Sequence, residues 1–308
     1  MPTKKVIVAA NAHVYLIDSL TEKGFDVISV PNATDTELAT LLTDAHGLIV
    51  TTRVIHSNMI DQAPLLKWIG RLGSGMELID VAYANTKGIQ CYSSPEGNSN
   101  AVAEHAIGML LSLLHRINVS NEEIKDGKWN REANRGTELA GKTVGIIGFG
   151  NTGSNFAKCL ASFEVSILAY DKYKKGFGNQ QVKETDLQTL LEEADIISFH
   201  LPLSAETKHF CDEALLQQMN KQPWLLNTSR GEVIDTKALV LALQKGRLKG
   251  ACLDVLENEK IDSLSIQQTQ ELEFLNSRSD VLLTPHIAGY SQEALYKMAK
   301  VLLEKIIF

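Results

Sequence analysis

Cysteine is scarce: the 308 residues contain four, at Cys91, Cys159, Cys211 and Cys252, with no CxxC pair among them. They are widely spaced and at least three fall in stretches that read as strand or helix interior, so reduced core cysteines of a cytoplasmic protein are expected rather than disulfides or a zinc site. Long apolar runs are missing too. The most apolar helical stretch, Ala101 to Leu114, is broken by Glu104, His105 and Ser112 and falls short of the roughly 20 residues a bilayer span requires, so no membrane span is expected. The opening MPTKKVIVAA sets two lysines ahead of an apolar run too short for a secretion signal, and it is expected to form a first strand. Positive charge is in deficit, 30 Lys and Arg against 37 Asp and Glu. That balance excludes a protein built to grip a nucleic-acid backbone, which depends on many phosphate contacts. Aromatic residues make up only 6%, but 44% of the chain is hydrophobic and no tract is of low complexity, so packed cores rather than disorder are expected.

The length exceeds what one core usually holds, which predicts two domains with a cleft between them. Short β-branched runs at Val6 to Ala9, Val27 to Val30, Leu48 to Val50, Trp68 to Gly70 and Ile89 to Tyr92 alternate with helical patterns. Such alternation implies crossover connections and a parallel sheet covered on both faces. An apolar helix capped by Asn98, Ser99 or Asn100 should follow and end near Leu114; being apolar on most faces, it is expected to pack between domains or subunits. The polar, glycine-punctuated KDGKWNREANRGTEL then reads as a surface connection. A second series runs through KTVGIIGFG, VSILAYD, ADIISFHLP, WLLNTSRG, GACLDV and VLLTPH, six strand-like runs that fit a doubly wound sheet. Beyond His286 only one helical pattern remains, expected to pack back onto the first domain. The α/β domains are therefore placed at residues 1–97 with 287–308, and at 98–286, and no repeat at solenoid spacing is found.

The run Gly148-Phe149-Gly150-Asn151-Thr152-Gly153 fits GxGxxG. Context makes it specific: an apolar strand precedes it, a helical stretch follows, and the next strand ends in Asp171, 18 residues after Gly153. Glycines permit a tight turn and close backbone approach, the helix N-terminus attracts a pyrophosphate, and the carboxylate accepts hydrogen bonds from ribose hydroxyls. A nicotinamide dinucleotide is the expected cofactor. Asp171 favours NAD, because a carboxylate there repels the 2′-phosphate of NADP; Lys172, Lys174 and Lys175 nearby read as a solvated turn.

Across nearly its whole length the chain resembles the D-isomer-specific 2-hydroxyacid dehydrogenases. The resemblance is carried by GRLGSGMELID, SSPEGNSNAVAEHA, KDGKWNR with GTELAGKTVGIIGFGNTG, HLPLSAET, NTSRGEVIDTKAL, GACLDVLENE and TPHIAG. It implies a Rossmann NAD-binding domain inserted in a flavodoxin-like substrate domain, and a homodimer formed through the Ala101 to Leu114 region. It also implies a catalytic Arg230 in NTSRG, Glu259 in LDVLENE and His286 in TPHIAG. Their chemistry suits those roles. A planar, permanently charged guanidinium can hold a carboxylate and polarise a carbonyl. An imidazole exchanges protons near neutral pH, and a carboxylate beside it fixes its tautomer and favours the protonated form. The resemblance sets His200, Pro202 and Thr207 beside the nicotinamide, with His200 lining the site rather than moving protons. It adds Thr228, Ser229, Asp254, Ala288 and Gly289 to the cofactor's surroundings, and gives the substrate carboxylate to backbone N–H groups of Gly73, Ser74 and Gly75, with Asn98 close by.

Within the family, the KDGKW and GTEL segments resemble phosphoglycerate dehydrogenases in particular, and Arg53 and Arg71 sit where those enzymes bind phosphate; Arg131 and Arg135 could add to them. A phosphorylated small-molecule 2-hydroxy or 2-oxo acid, D-3-phosphoglycerate first, is the expected substrate, which would place the chain at the entry to serine synthesis. Lys260 in place of the usual proline, the insert Ile261 to Leu275, and HIAGYS in place of HIGAST depart from the pattern and bear on specificity. They keep glycerate, hydroxypyruvate or glyoxylate reductases and the erythronate-4-phosphate enzymes in view. An NAD-sensing module without turnover is the non-enzymatic alternative, and its signature would be loss of the Arg, Glu or His. No C-terminal serine-sensing domain is expected, and neither is a metal.

Overall fold

Residues 3–307 are described by a computed structural model. Apolar β-branched runs form the strands and amphipathic stretches the helices between them. The chain opens with β1 (Lys5–Ala9), α1 (Val14–Glu22), β2 (Asp26–Ser29), α2 (Asp35–Leu42), β3 (Ala45–Val50), α3 (Ser57–Asp61), β4 (Trp68–Arg71), α4 (Val81–Thr86) and β5 (Gln90–Ser93). It continues with α5 (Pro95–Leu114), α6 (Ile117–Lys125), β6 (Thr143–Ile147), α7 (Asn151–Leu160), β7 (Ser166–Tyr170), β8 (Val182–Glu184), α8 (Leu187–Glu193), β9 (Ile196–Phe199) and α9 (Glu213–Gln217). It closes with β10 (Trp224–Asn227), α10 (Thr236–Gln244), β11 (Gly250–Leu253), α11 (Ile266–Asn276), β12 (Val281–Leu283) and α12 (Gln292–Lys305).

Two compact units result, one made of the described residues up to Ala101 together with those from Gly289 on, the other of Val102–Ala288. The first holds a five-stranded parallel sheet in the order β2-β1-β3-β4-β5, which is the flavodoxin-like order. The helix α12 completes it. Ser291 caps that helix by accepting from the Ala294 N–H, and Ala294, Met298, Ala299 and Leu302 share one core with Val6, Val8, Leu16, Leu20 and Ile49. Gly70 on β4 is what admits it: a Cβ there would lie 2.9 Å from Leu302 Cδ2.

The second unit holds a seven-stranded parallel sheet in the order β12-β11-β10-β9-β6-β7-β8. Strand order reverses at β6, the Rossmann arrangement, which puts the switch point, where open α/β sheets bind ligands, at the carboxyl ends of β6 and β9. The central strands β9 and β11 are buried throughout and read as continuous apolar runs, as both-face coverage requires. The sequence predicts six strands here; the seventh, β8, is an edge strand with only Val182 buried, so VKE carries no apolar pattern to reveal it.

The helix α5 starts earlier than the expected cap at residues 98–100. Pro95 opens it, where a missing N–H costs nothing. Asn98, Ser99 and Asn100 fall inside the helix. The boundaries of the two units accordingly lie at Ala101 and Ala288, a few residues beyond the expected 97 and 286, because the first turns of α5 pack with the first unit. A Cβ on Gly97 would stand 2.5 Å from the Met298 backbone.

Candidate active site

In the second unit the glycine turn follows β6. Gly148 adopts φ +94, which a side chain disfavours, and a Cβ there would meet the His200 carbonyl at 2.4 Å. A Cβ on Gly153 would lie 2.1 Å from the Gly148 oxygen, so this glycine lets α7 approach the strand. Gly150 differs: it is the N-cap of α7, provides no side-chain cap, and has nothing within 4 Å of where a Cβ would be. Protein packing leaves space at Gly150, in front of the first-turn N–H groups of Asn151, Thr152 and Gly153, which have no acceptor within their own helix.

Asp171 closes the turn from β7. Its carboxylate accepts from Phe149 N at 2.8 Å and from Tyr173 N and Lys174 N at 2.9 Å each. Burial raises its pKa, but the Lys174, Phe149 and Tyr173 N–H groups and the Lys174 charge outweigh burial and hold the carboxyl below its ordinary range. Lys172, Lys174 and Lys175 are all exposed, a solvated turn as expected, but two of them are tethered. Lys172 pairs with Glu206 at 3.0 Å and Lys174 donates to the Phe149 carbonyl at 3.1 Å, which ties the turn after β7 to the glycine turn.

His200 follows β9 and is buried. Its Nε2 lies 2.9 Å from Ser198 Oγ, its Nδ1 has no partner, and burial pushes its pKa down to about 3. Ser198, two residues earlier on the same strand face, was not anticipated from the sequence. The Thr207 hydroxyl donates to the Pro202 carbonyl at 2.5 Å and accepts from Ser204 N at 2.8 Å, so it shapes its own loop.

Arg230 stands on the loop after β10. Buried Asn227, another residue the sequence reading missed, organises that loop: its Nδ2 donates to the Arg230 carbonyl at 2.8 Å and its Oδ1 accepts from Ser229 N and Oγ. Arg230 Nη1 donates to the Ser229 carbonyl at 2.6 Å. Gly231 is required, since a Cβ would fall 1.9 Å from the Leu256 oxygen. Thr228 Oγ1 is buried and unpartnered.

Glu259 and His286 come together from the loops after β11 and β12: His286 Nδ1 lies 2.9 Å from Glu259 Oε2, and both side chains are about half exposed, 46% and 45%. β10, β11 and β12 are neighbours in the sheet, so the Arg, Glu and His loops leave one edge side by side. His286 has φ +56, a left-handed conformation costing on the order of 1 kcal/mol for a side chain of this kind. Asp254, at 1% exposure, holds it there. The Asp254 carbonyl accepts from His286 N at 2.7 Å, and the carboxylate accepts from Thr284 Oγ1 at 2.6 Å, Ile287 N at 2.9 Å and Ala288 N at 2.8 Å. Asp254, expected among the cofactor contacts, therefore spends its oxygens on the loop that carries His286.

The substrate-side residues of the first unit are more committed than expected. Gly73 N donates to Ser94 Oγ at 3.1 Å, and its carbonyl accepts from Ser94 N, so that N–H does not face open space. Ser74 is exposed and Gly75 half-buried. Arg53 Nη1 pairs with Asp35 at 2.5 Å and also bonds the Ala33 carbonyl; Arg71, nearly buried, donates from Nε to the Thr51 carbonyl at 2.9 Å and faces Glu77 at 3.9 Å. Both arginines sit at or beyond the carboxyl ends of adjacent strands, β3 and β4. Gly289 leaves room for Asn98, whose Nδ2 would be 2.7 Å from a Cβ, and Asn98 Oδ1 is buried without a partner.

A family model described as D-isomer specific 2-hydroxyacid dehydrogenase, NAD binding domain, matches residues 107–288. The chain belongs to this family. It is therefore an NAD-dependent oxidoreductase of 2-hydroxy acids, and NAD is its cofactor. The chain is similar to a glyoxylate reductase of Thermofilum pendens, 38% identical over 267 residues, covering 84% of this chain and 76% of that one. It is also similar to a D-3-phosphoglycerate dehydrogenase of Synechocystis, 32% identical over 305 residues, or 96% of this chain, and spans about half (53%) of that relative's length. Among solved structures, D-lactate dehydrogenase from Aquifex aeolicus, complexed with NAD and lactic acid, superposes with a TM-score of 0.83 at 28% identity, over 98% of this chain and 94% of that one. Among the described residues no helix is long and apolar enough to cross a membrane, and no group of His, Cys, Asp or Glu could hold a metal ion.

Proposed function

We propose that this family member interconverts a D-2-hydroxy acid and its 2-oxo acid, with D-3-phosphoglycerate and 3-phosphohydroxypyruvate as the pair, using Arg230, Glu259 and His286. The observation that carries the reaction is the His286–Glu259 contact at 2.9 Å on the edge that also bears the Arg230 loop. The residues present suit NAD: open space at Gly150 beside a helix N-terminus, and buried, unpartnered His200 Nδ1 and Thr228 Oγ1. In this reading the glycine turn holds the pyrophosphate and Asp171 the ribose. Bound NAD supplies the hydride acceptor. Arg230 holds the substrate carboxylate and polarises the carbonyl oxygen. With Nδ1 turned to Glu259, His286 presents Nε2 to the substrate oxygen, takes the alcohol proton during oxidation and returns it during reduction. Glu259 stabilises the imidazolium formed.

Phosphate would be met by Arg53 and Arg71, which stand at the carboxyl end of the first sheet, where open α/β folds bind ligands. The same arginines favour a second reading. They are already matched by Asp35 and Glu77, so an unphosphorylated two- or three-carbon 2-oxo acid such as glyoxylate or hydroxypyruvate needs no rearrangement there. A homodimer and a cytoplasmic location complete the proposal; exposed Ile117, Ile124 and Trp129 in the second unit offer an apolar surface that a second copy would cover. NADH absorbance followed over phosphohydroxypyruvate, hydroxypyruvate, glyoxylate and 2-oxo-4-phosphoerythronate separates the readings. Activity greatest on the first supports the phosphoglycerate assignment, activity greatest on an unphosphorylated acid replaces it, and inactivity on all four removes it.

A further inference from the structure

The grip on His286 extends further into the second unit. Asp254 is buried, and its carboxylate bonds the two backbone N–H groups that follow His286. Its third donor is the Thr284 hydroxyl at 2.6 Å. A hydroxyl has one proton to give. With that proton directed to a carboxylate at so short a distance, rather than to Met109 Sδ at 3.6 Å, Thr284 Oγ1 can only accept from its remaining neighbour. That neighbour is His105 Nε2 at 3.1 Å, from the middle of α5, which also lies 3.6 Å from Asp254 Oδ1. The direction of the chain therefore fixes the histidine: Nε2 must carry hydrogen. His105 is the one residue with a cationic form within 4 Å of the Asp254 carboxylate among the described ion pairs.

We infer that His105 is a positioning residue for the reaction, acting through Thr284 and Asp254 to hold the His286 loop in its left-handed turn. It touches neither substrate nor Glu259. Its effect is orientational: its Nε2–H holds the Thr284 oxygen in the rotamer that aims the hydroxyl at Asp254, and Asp254 then fixes the N–H groups on the far side of His286. Helix α5 is thereby coupled to the proton-transfer group. This inference rests on the proposed reaction for its kinetic consequence, whereas its structural content is independent of any substrate.

Two measurements separate these levels. In the free protein, long-range proton–nitrogen NMR of the imidazoles should show hydrogen on His105 Nε2, and hydrogen exchange at the Ile287 and Ala288 amides should quicken about tenfold in Thr284→Val and in His105→Ala. A neutral His105 with hydrogen on Nδ1 alone, or exchange unchanged in both variants, overturns the inference whatever the enzyme acts on. In NADH turnover with the best 2-oxo acid of the panel, His105→Ala should lower kcat about tenfold and leave KM for NADH in place. His105→Gln, which keeps an N–H donor at similar reach, should recover most of the loss. The double variant His105→Ala with Thr284→Val should be no worse than the poorer single one. Loss confined to KM, failure of Gln to rescue, or additive losses would overturn it. Should the wild type turn over none of the panel, the reaction reading fails while the NMR and exchange results still decide the positioning role.

Discussion

His200 and His286 both stand just past carboxyl ends of strands in one sheet, yet their surroundings are opposite. His200 is buried between Ser198 and Phe156 with no charged partner, and burial drives its pKa to about 3, so it is neutral throughout the working range. His286 is half exposed and meets a carboxylate at 2.9 Å. An imidazole that must gain and lose a proton needs solvent or a counter-charge to stabilise its cation, and only His286 has them. Position at a strand end marks both as candidates, but the environment assigns the chemistry.

The contrast is tested hardest where a charge must act on the substrate. Arg230→Ala should reduce kcat/KM about a thousandfold, measured by NADH oxidation; near-normal activity would mean that the exposed edge is not the reaction centre. Glu259→Gln keeps a hydrogen-bonding side chain beside His286 but removes the charge, and should lower reduction about tenfold with little change in KM for NADH. An unchanged kcat would leave the pair without a role. His200→Gln should act on stability instead. Between pH 6.5 and about 3 the unfolded chain binds a proton that native His200 refuses, so native stability falls as pH drops through that window, by up to about 1.4 kcal/mol per unit. Thermal unfolding of the variant should show a shallower acid loss than the wild type, with catalytic pH dependence unmoved. Equal slopes would show that His200 protonates in the folded state. The smallest effect is expected of Arg53→Ala: about a threefold rise in KM for phosphorylated acids and none for unphosphorylated ones, where a uniform change would argue against a phosphate role.

Much of this was legible in the chain. The strand runs and the GxGxxG turn lie where the pattern sets them, because buried parallel strands leave uninterrupted apolar stretches and a glycine at φ +94 tolerates no replacement. Less legible was what depends on partners. β8 is too exposed to be patterned, and the start of α5 turned on Pro95 rather than on the polar residues after it. Sequence marks Asp254 and Gly73 as site residues but does not say what their polar groups bond: the first is spent on Thr284, Ile287 and Ala288, the second on Ser94. Asn227, Ser198 and His105 were not read as site residues for a related reason. Each acts by bonding another polar group, and in a linear string a buried polar residue looks like any other.

The account turns on His286 as the group that moves the proton. The most direct measurement is a comparison of wild type and His286→Ala, with NADH binding followed by fluorescence and turnover by absorbance on whichever 2-oxo acid the wild type reduces best. The variant should bind NADH as the wild type does and lose at least about a hundredfold in turnover. Turnover preserved in the variant, or lost only together with NADH binding, would contradict the assignment.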